Sequence, residues 1–168
     1  MQNWFWNLLE TLSQHPEFGN LKVFVERLMQ KRGNEVSFIV VFGSVAKGTW
    51  TFWSDIDIFV GLNRDDGLRL IDRIGQFTEF VQGKLEVFSY ARSEWQRMFE
   101  TFNPLLLEAL ADGIVLIDSG EFASMKEIFC QWQADGLILR TNCGWRISAD
   151  LPVNSDGLST NWVSSNSR

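Results

Sequence analysis

The period of the apolar positions changes several times along the chain, and each change marks an element. Trp4, Leu8, Leu9 and Leu12 recur at helical spacing, which predicts a short amphipathic helix over residues 4–14, broken by Pro16 and Gly19. Leu21, Phe24, Val25, Leu28 and Met29 continue a 3.6-residue stripe, with Asn20 as its cap and Gly33 as its stop. The pattern then tightens. Residues 38–42 are an apolar run of strand length, and Gly43-Ser44 turns the chain into a helical piece that Gly48 cuts short. Residues 55–62 read as a second strand with period-two alternation, Ile56, Ile58 and Val60 on one face and Asp55 and Asp57 on the other.

Further on, Leu70, Ile71, Ile74, Phe77 and Val81 predict a helix over 67–81, with Asp65 or Asp66 as cap and Gly83 beyond its end. Residues 84–90 read as a third strand, Leu85 and Val87 facing one way, Glu86 and Phe88 the other. Ser93 opens a helix, Pro104 suits the first turn of another, 114–118 is a short strand and 121–132 a last amphipathic helix. Trp95, Phe99 and Trp132 lie at helical spacings and belong to the core. After Gly136 the pattern weakens. Residues 137–139 suggest an edge strand, and beyond Ser148 the Ser, Asn, Asp, Gly and Pro content predicts a tail with little packed structure, in which Trp162 stands out.

Composition narrows the classes. The 168 residues suffice for one domain with a real core, or a domain and a tail. A net charge of −6 opposes broad binding to nucleic acid or anionic membrane, since both need a basic field. Met1 to Glu10 carries neither a basic leader nor a long apolar run, so no secretory or membrane segment is expected there. Cys130, Cys143 and His15 lack zinc-ligand spacing, and reduced thiols in a cytoplasmic protein are the expectation.

The chemistry concentrates between residues 36 and 62. Two carboxylates two apart on a strand lie side by side, and a cation is what allows both to stay ionised cheaply. Oxygen donors suit a hard ion such as Mg²⁺, which takes further ligands from substrate phosphates. The Gly43-Ser44 turn offers backbone N–H groups and a hydroxyl to those phosphates, and glycine lets the backbone approach closely. Phosphate cradle and metal clamp therefore sit on consecutive strand ends.

Gly43-Ser44, ten residues, then Asp55-x-Asp57 resembles the signature of the DNA polymerase β-like nucleotidyltransferases. G-S-x-A-x-G (Gly43, Ser44, Ala46, Gly48), five residues, then S-D-I-D (Ser54 to Asp57) is similar to the minimal nucleotidyltransferases within them. The likeness covers about 21–118 and includes N-P-L-L-L-E-A-L-A-D-G-I-V-L-I-D (Asn103 to Asp118). It implies an α+β fold, a small mixed sheet with helices packed mainly on one face. The catalytic domain is expected over 1–134, followed by a possible edge strand and flexible tail over 135–168.

The resemblance also implies a reaction: Mg²⁺-dependent transfer of a nucleoside monophosphate, AMP from ATP, to a hydroxyl of a partner protein or a small molecule. It places a third carboxylate on the neighbouring strand, which by position is Glu86, where Asp is commoner. The alternation puts Glu86 on the proper face; the bland alternative is a solvent-facing strand glutamate. Asp55, Asp57 and Glu86 would then be the catalytic and metal-binding set, for a two-ion site, and Gly43 and Ser44 would hold the nucleoside triphosphate. Lys47 is either a phosphate partner or a solvated lysine, and Ser54 orients its loop. Trp50, Phe52 and Trp53 stand where relatives carry polar residues; they either stack on a base or a partner, or cap the core. The competing class is a nucleotide- or partner-binding antitoxin or regulator on the same fold, acting without turnover.

Overall fold

The computed structural model describes residues 12–149. Most of the first predicted helix, the tail and Trp162 lie outside them. Elements run in the order α1 (Phe18–Arg32), a 3-10 turn (Gly33–Glu35), β1 (Val36–Phe42), α2 (Gly43–Ala46), β2 (Ile56–Leu62), α3 (Leu70–Thr78), β3 (Leu85–Tyr90), α4 (Arg92–Glu100), α5 (Pro104–Asp112), β4 (Ile114–Asp118), α6 (Glu121–Ala134), β5 (Ile138–Thr141) and β6 (Gly144–Ile147).

The main sheet has the order β3-β2-β1-β4. β1 is antiparallel to both β2 and β4, whereas β2 and β3 are parallel. The fold is therefore α+β with a small mixed sheet, as expected. The cover of that sheet differs from expectation. Every residue of β1 is buried, so both of its faces are packed. Phe38, Val40 and Phe42 meet Phe59 and Trp95, Leu106, Leu110 and Phe129 of α4, α5 and α6 on one side. Ile39 and Val41 join Ile56, Ile58 and Val60 against Leu21, Phe24 and Leu28 of α1 and Phe77 of α3 on the other. Helices cover both faces rather than mainly one, because α1 and α3 each carry an apolar stripe that needs a sheet to bury it.

The third helix also departs from its predicted face. Leu70 and Ile71 are exposed, while Arg73, Phe77 and, just beyond the helix, Phe80 are buried. Neither Asp65 nor Asp66 caps α3, whose cap position is Arg69. Arg73 explains the rotation. Its guanidinium meets Asp66 twice, Nε to Oδ2 and Nη2 to Oδ1, both at 2.7 Å, and Nη1 meets Glu94 Oε2 at 2.5 Å. Backbone carbonyls of Leu68 and Ser89 accept further bonds from it. These bonds to Arg73 hold Asp66 at about pKa 2 despite its partial burial.

The predicted edge strand is real but is not an edge of the main sheet. Residues 138–147 fold as their own antiparallel hairpin, β5 and β6. Ile138 is buried in the α6 core, and Trp145 meets Phe129 edge to face at 5.6 Å. Both cysteines are exposed and unpaired. No helix among the described residues is long and apolar enough to cross a membrane.

Removing the arginine strands two carboxylates. Arg73→Leu is expected to lower unfolding free energy by about 3–5 kcal/mol, the usual cost of breaking a buried pair from one side. Urea denaturation at neutral pH measures it, and a loss under about 1 kcal/mol would show that the cluster is only surface pairing.

Candidate active site

The strand register assembles the site. Asp57 on β2 pairs with Phe42 on β1 and with Glu86 on β3, so the last residue of β1 and the two acids form one row across the sheet. Alternation sends Ile56 and Ile58 into the α1/α3 core and leaves Asp57 on the other face, beside Glu86. Asp57 is half-buried, and Asp55, just before the strand, is exposed like Glu86.

Gly43 follows Phe42 with φ +70°, a conformation that favours glycine. A Cβ there would lie 2.1 Å from Asp57 Oδ2, so the turn and the carboxylate occupy the same small space. Gly43 also starts α2, and the N–H groups of a first helical turn have no partner within the helix. The sequence placed the Gly43-Ser44 turn and the acids on adjacent strand ends, and the structure sets Gly43 directly against Asp57.

Electrostatics reflect this crowding. The Asp57 carboxyl is pushed up to about 6, first by burial, then by the charges of Glu86 and Asp55 and by its hydrogen-bonding contact with Glu86. A cluster of negative charge on oxygen donors fits a hard cation, which would relieve the repulsion that raises the Asp57 carboxyl. The set is not closed. Among the described residues no three His, Cys, Asp or Glu side chains stand as a complete metal-ligand group; the sheet brings Asp57 and Glu86 together and leaves Asp55 at the rim.

The other singled-out residues sort clearly. Lys47 Nζ pairs with Glu108 Oε2 on α5 at 2.5 Å, so here its partner is a carboxylate of the protein. Glu108 also accepts from Arg140 and from Trp145 Nε1, joining α2 to the C-terminal hairpin. Sequence reasoning did not foresee that link. The Ser54 hydroxyl accepts the Thr51 N–H at 2.9 Å while its own N–H bonds Thr51 O, so Ser54 orients the loop. The aromatic loop splits. Trp50 packs toward the core against His15, ring centroids 4.7 Å apart. Phe52 and Trp53 are 65 % and 75 % exposed, edge to face with each other, with Lys84 Nζ over the Trp53 ring.

Comparison with known proteins follows this geometry. Residues 21–99 match the profile of the nucleotidyltransferase domain. No curated protein matches. Among solved structures, a candidate nucleotidyltransferase from Sulfolobus solfataricus is 18% identical, with a TM-score of 0.49 over 68% of this chain and 89% of that one. A toxin-antitoxin with AMP-PNP is 17% identical, TM-score 0.45, over 67% and 86% of the two chains. A mutant of the toxin-antitoxin MntA-HpeT is 14% identical, TM-score 0.43, over 66% and 84%.

The raised Asp57 carboxyl has a signed consequence in metal-free buffer. Its folded pKa of about 6 exceeds the ordinary value of 3.8, so the native state binds the proton more tightly and loses stability as pH rises between those values. Asp57→Asn removes this dependence. The stability gap between Asp57→Asn and the parent, from chemical denaturation in EDTA, should be near its minimum around pH 4, grow to about pH 6 and stay level above. A gap flat across that range would contradict the crowded carboxyl.

Residues 21–99, the segment that matches the nucleotidyltransferase domain, thus contain both the Gly43 turn packed on Asp57 and the pairing of Asp57 with Glu86 across the sheet.

Proposed function

We propose that the protein transfers a nucleoside monophosphate, AMP from ATP, to a hydroxyl of an acceptor, with Asp55, Asp57 and Glu86 as catalytic acids. The observation that carries this reading is the register pairing of Asp57 with Glu86 beneath the Gly43 turn. Three roles follow. The first-turn amides of α2 and the Ser44 hydroxyl bind the β- and γ-phosphates. Asp55 and Asp57 would hold the Mg²⁺ that accompanies the triphosphate, and Glu86 would share in holding a second ion. Bound Mg²⁺ supplies charge neutralisation at the phosphates and lowers the pKa of the attacking hydroxyl.

The residues of the chain contribute positioning and preorganised charge rather than a covalent intermediate. The acceptor oxygen attacks the α-phosphorus, the bond to the bridging oxygen breaks, and pyrophosphate leaves with the electron pair. The hydroxyl proton passes to Glu86 or to water. Glutamate reaches one methylene further than the aspartate commoner at this position, and its exposure on β3 leaves it room to do so.

The acceptor is best read as a protein. Phe52 and Trp53 form an exposed aromatic rim just before Asp55, the type of surface that a partner's side chains bury. In this reading the protein acts in the cytoplasm. A nucleotide-binding regulator without turnover is the outcome if transfer is never seen.

Glu86 separates the two. Glu86→Gln should leave Mg·ATP affinity within about threefold, because Asp55 and Asp57 hold the nucleotide's ion, and should cut transfer roughly 10²–10⁴-fold, the range for loss of a positioned base. Radiolabelled ATP with candidate acceptor proteins is the assay. Undiminished labelling by Glu86→Gln removes Glu86 from the mechanism, and no labelling by the parent protein with any acceptor favours the regulator.

A further inference from the structure

The bend that precedes α1 lies outside the matched segment, which begins at residue 21, yet it touches both chain segments that deliver the acids. His15 is buried at 2 % exposure. Its backbone N–H bonds Leu12 O, its carbonyl accepts the Phe18 N–H, and its Nδ1 accepts the Glu17 N–H at 3.1 Å. Its ring lies against Trp50, in the loop that ends at Asp55. Nε2 is buried without a well-formed hydrogen bond, and the acceptor it faces is the Ser54 carbonyl. Burial holds His15 below its ordinary pKa, against Glu17, which pulls it up; Lys84 also pulls it down. At neutral pH the imidazole is therefore neutral, the state in which Nδ1 can accept.

Glu17 reaches the other side of the same acid. Its Oε2 accepts from Asn20 Nδ2 at 2.6 Å and from the Lys84 N–H at 3.1 Å. Gly83, with φ +69°, makes that approach possible, for a Cβ there would lie 2.1 Å from Glu17 Oε2. Lys84 then accepts the Ile56 N–H through its carbonyl at 3.0 Å. Ile56 sits between Asp55 and Asp57, and Lys84 stands two residues before Glu86. The ring is nearly closed: His15 bears on Trp50 and the loop before Asp55, while Glu17 bears, through Lys84, on Ile56 after it.

We propose that His15 and Glu17 are positioning residues for the acid cluster, one bend fixing the loop that carries Asp55 and the start of the strand that carries Glu86. Neither touches substrate in this scheme. Their effect is on where the carboxylates stand, and misplacement of about 1 Å at such a site lowers rates by up to ~100-fold. The proposal rests on the transfer reading for its catalytic consequence; the clamp itself is a property of the folded chain.

Both levels are read on the full chain. Hydrogen exchange by mass spectrometry in metal-free buffer compares the parent with Glu17→Ala and Glu17→Gln, following residues 51–57, residues 83–87 and, as reference, β4. Glu17→Ala is expected to speed exchange in the first two segments by about tenfold or more, the consequence of losing a hydrogen bond to a charged group, and to leave β4 unchanged. Gln keeps an acceptor oxygen and should restore protection. In the transfer assay Glu17→Ala should lower kcat by roughly ten- to a hundredfold with ATP affinity within about threefold, and Glu17→Gln should recover most of it. If Glu17→Ala fails to fold, His15→Phe, which keeps a ring against Trp50 and removes both nitrogens, is read on the same segments with the same expectation.

Unchanged exchange at residues 51–57 and 83–87, or acceleration shared equally by β4, overturns the clamp. Local acceleration with kcat and affinity both intact overturns the positioning role. A parent protein that transfers nothing, but whose exchange responds locally, sinks the transfer reading and leaves the clamp standing.

Discussion

Two carboxyl groups face each other across neighbouring strands, and the rest of the fold is arranged so that they stay there. Asp57 and Glu86 are register partners on parallel strands, where like charges are destabilising. A flexible sheet would twist away from the contact. This one has β1 and β2 packed from both sides, and Gly43 set directly against Asp57 leaves the carboxylate little space to retreat into. The result is a carboxyl whose proton is held well above its usual range, that is, a place where positive charge is wanted.

The other end of the same strand pair is built in the opposite way. Beyond β2 and β3, Asp66 and Glu94 close on the buried Arg73, and Leu68 and Ser89 satisfy its remaining donors. The buried cation there is enclosed by two carboxylates and two carbonyls, which lock α3 and α4 to the sheet. At the acid end Asp57 and Glu86 have no cationic partner among the described residues, and this is where the proposed chemistry would act. The perturbed carboxyls at the two ends thus differ in cause: hydrogen bonds to a buried cation lower Asp66, whereas burial and neighbouring carboxylates raise Asp57.

Much of this was legible from residues alone. Strand alternation correctly set Ile56, Ile58, Leu85 and Val87 against Asp57, Glu86 and Phe88, because a period of two leaves no freedom once one face is apolar. Gly43 was readable as a close approach, although only the structure shows that the group it approaches is Asp57. What escaped has a common cause, polar groups whose partners are remote in sequence. Arg73 reads as the solvent side of α3 until Asp66 and Glu94 are known to enclose it. Lys47 reads as free until Glu108 is brought beside it. His15 and Glu17 sit among helix breakers, where a pattern search sees only an interruption. Which face of the sheet α1 and α3 would cover was likewise beyond the stripes themselves, since a stripe specifies burial and not against what.

The central claim is that the crowded carboxylates exist to hold a metal–triphosphate. The most direct measurement is calorimetric titration of the parent protein with ATP, once with Mg²⁺ and once in EDTA. Without the ion the triphosphate meets bare carboxylates, so the account predicts binding that is strong with Mg²⁺ and weaker by at least about tenfold without it. Equal affinity in the two titrations would contradict it.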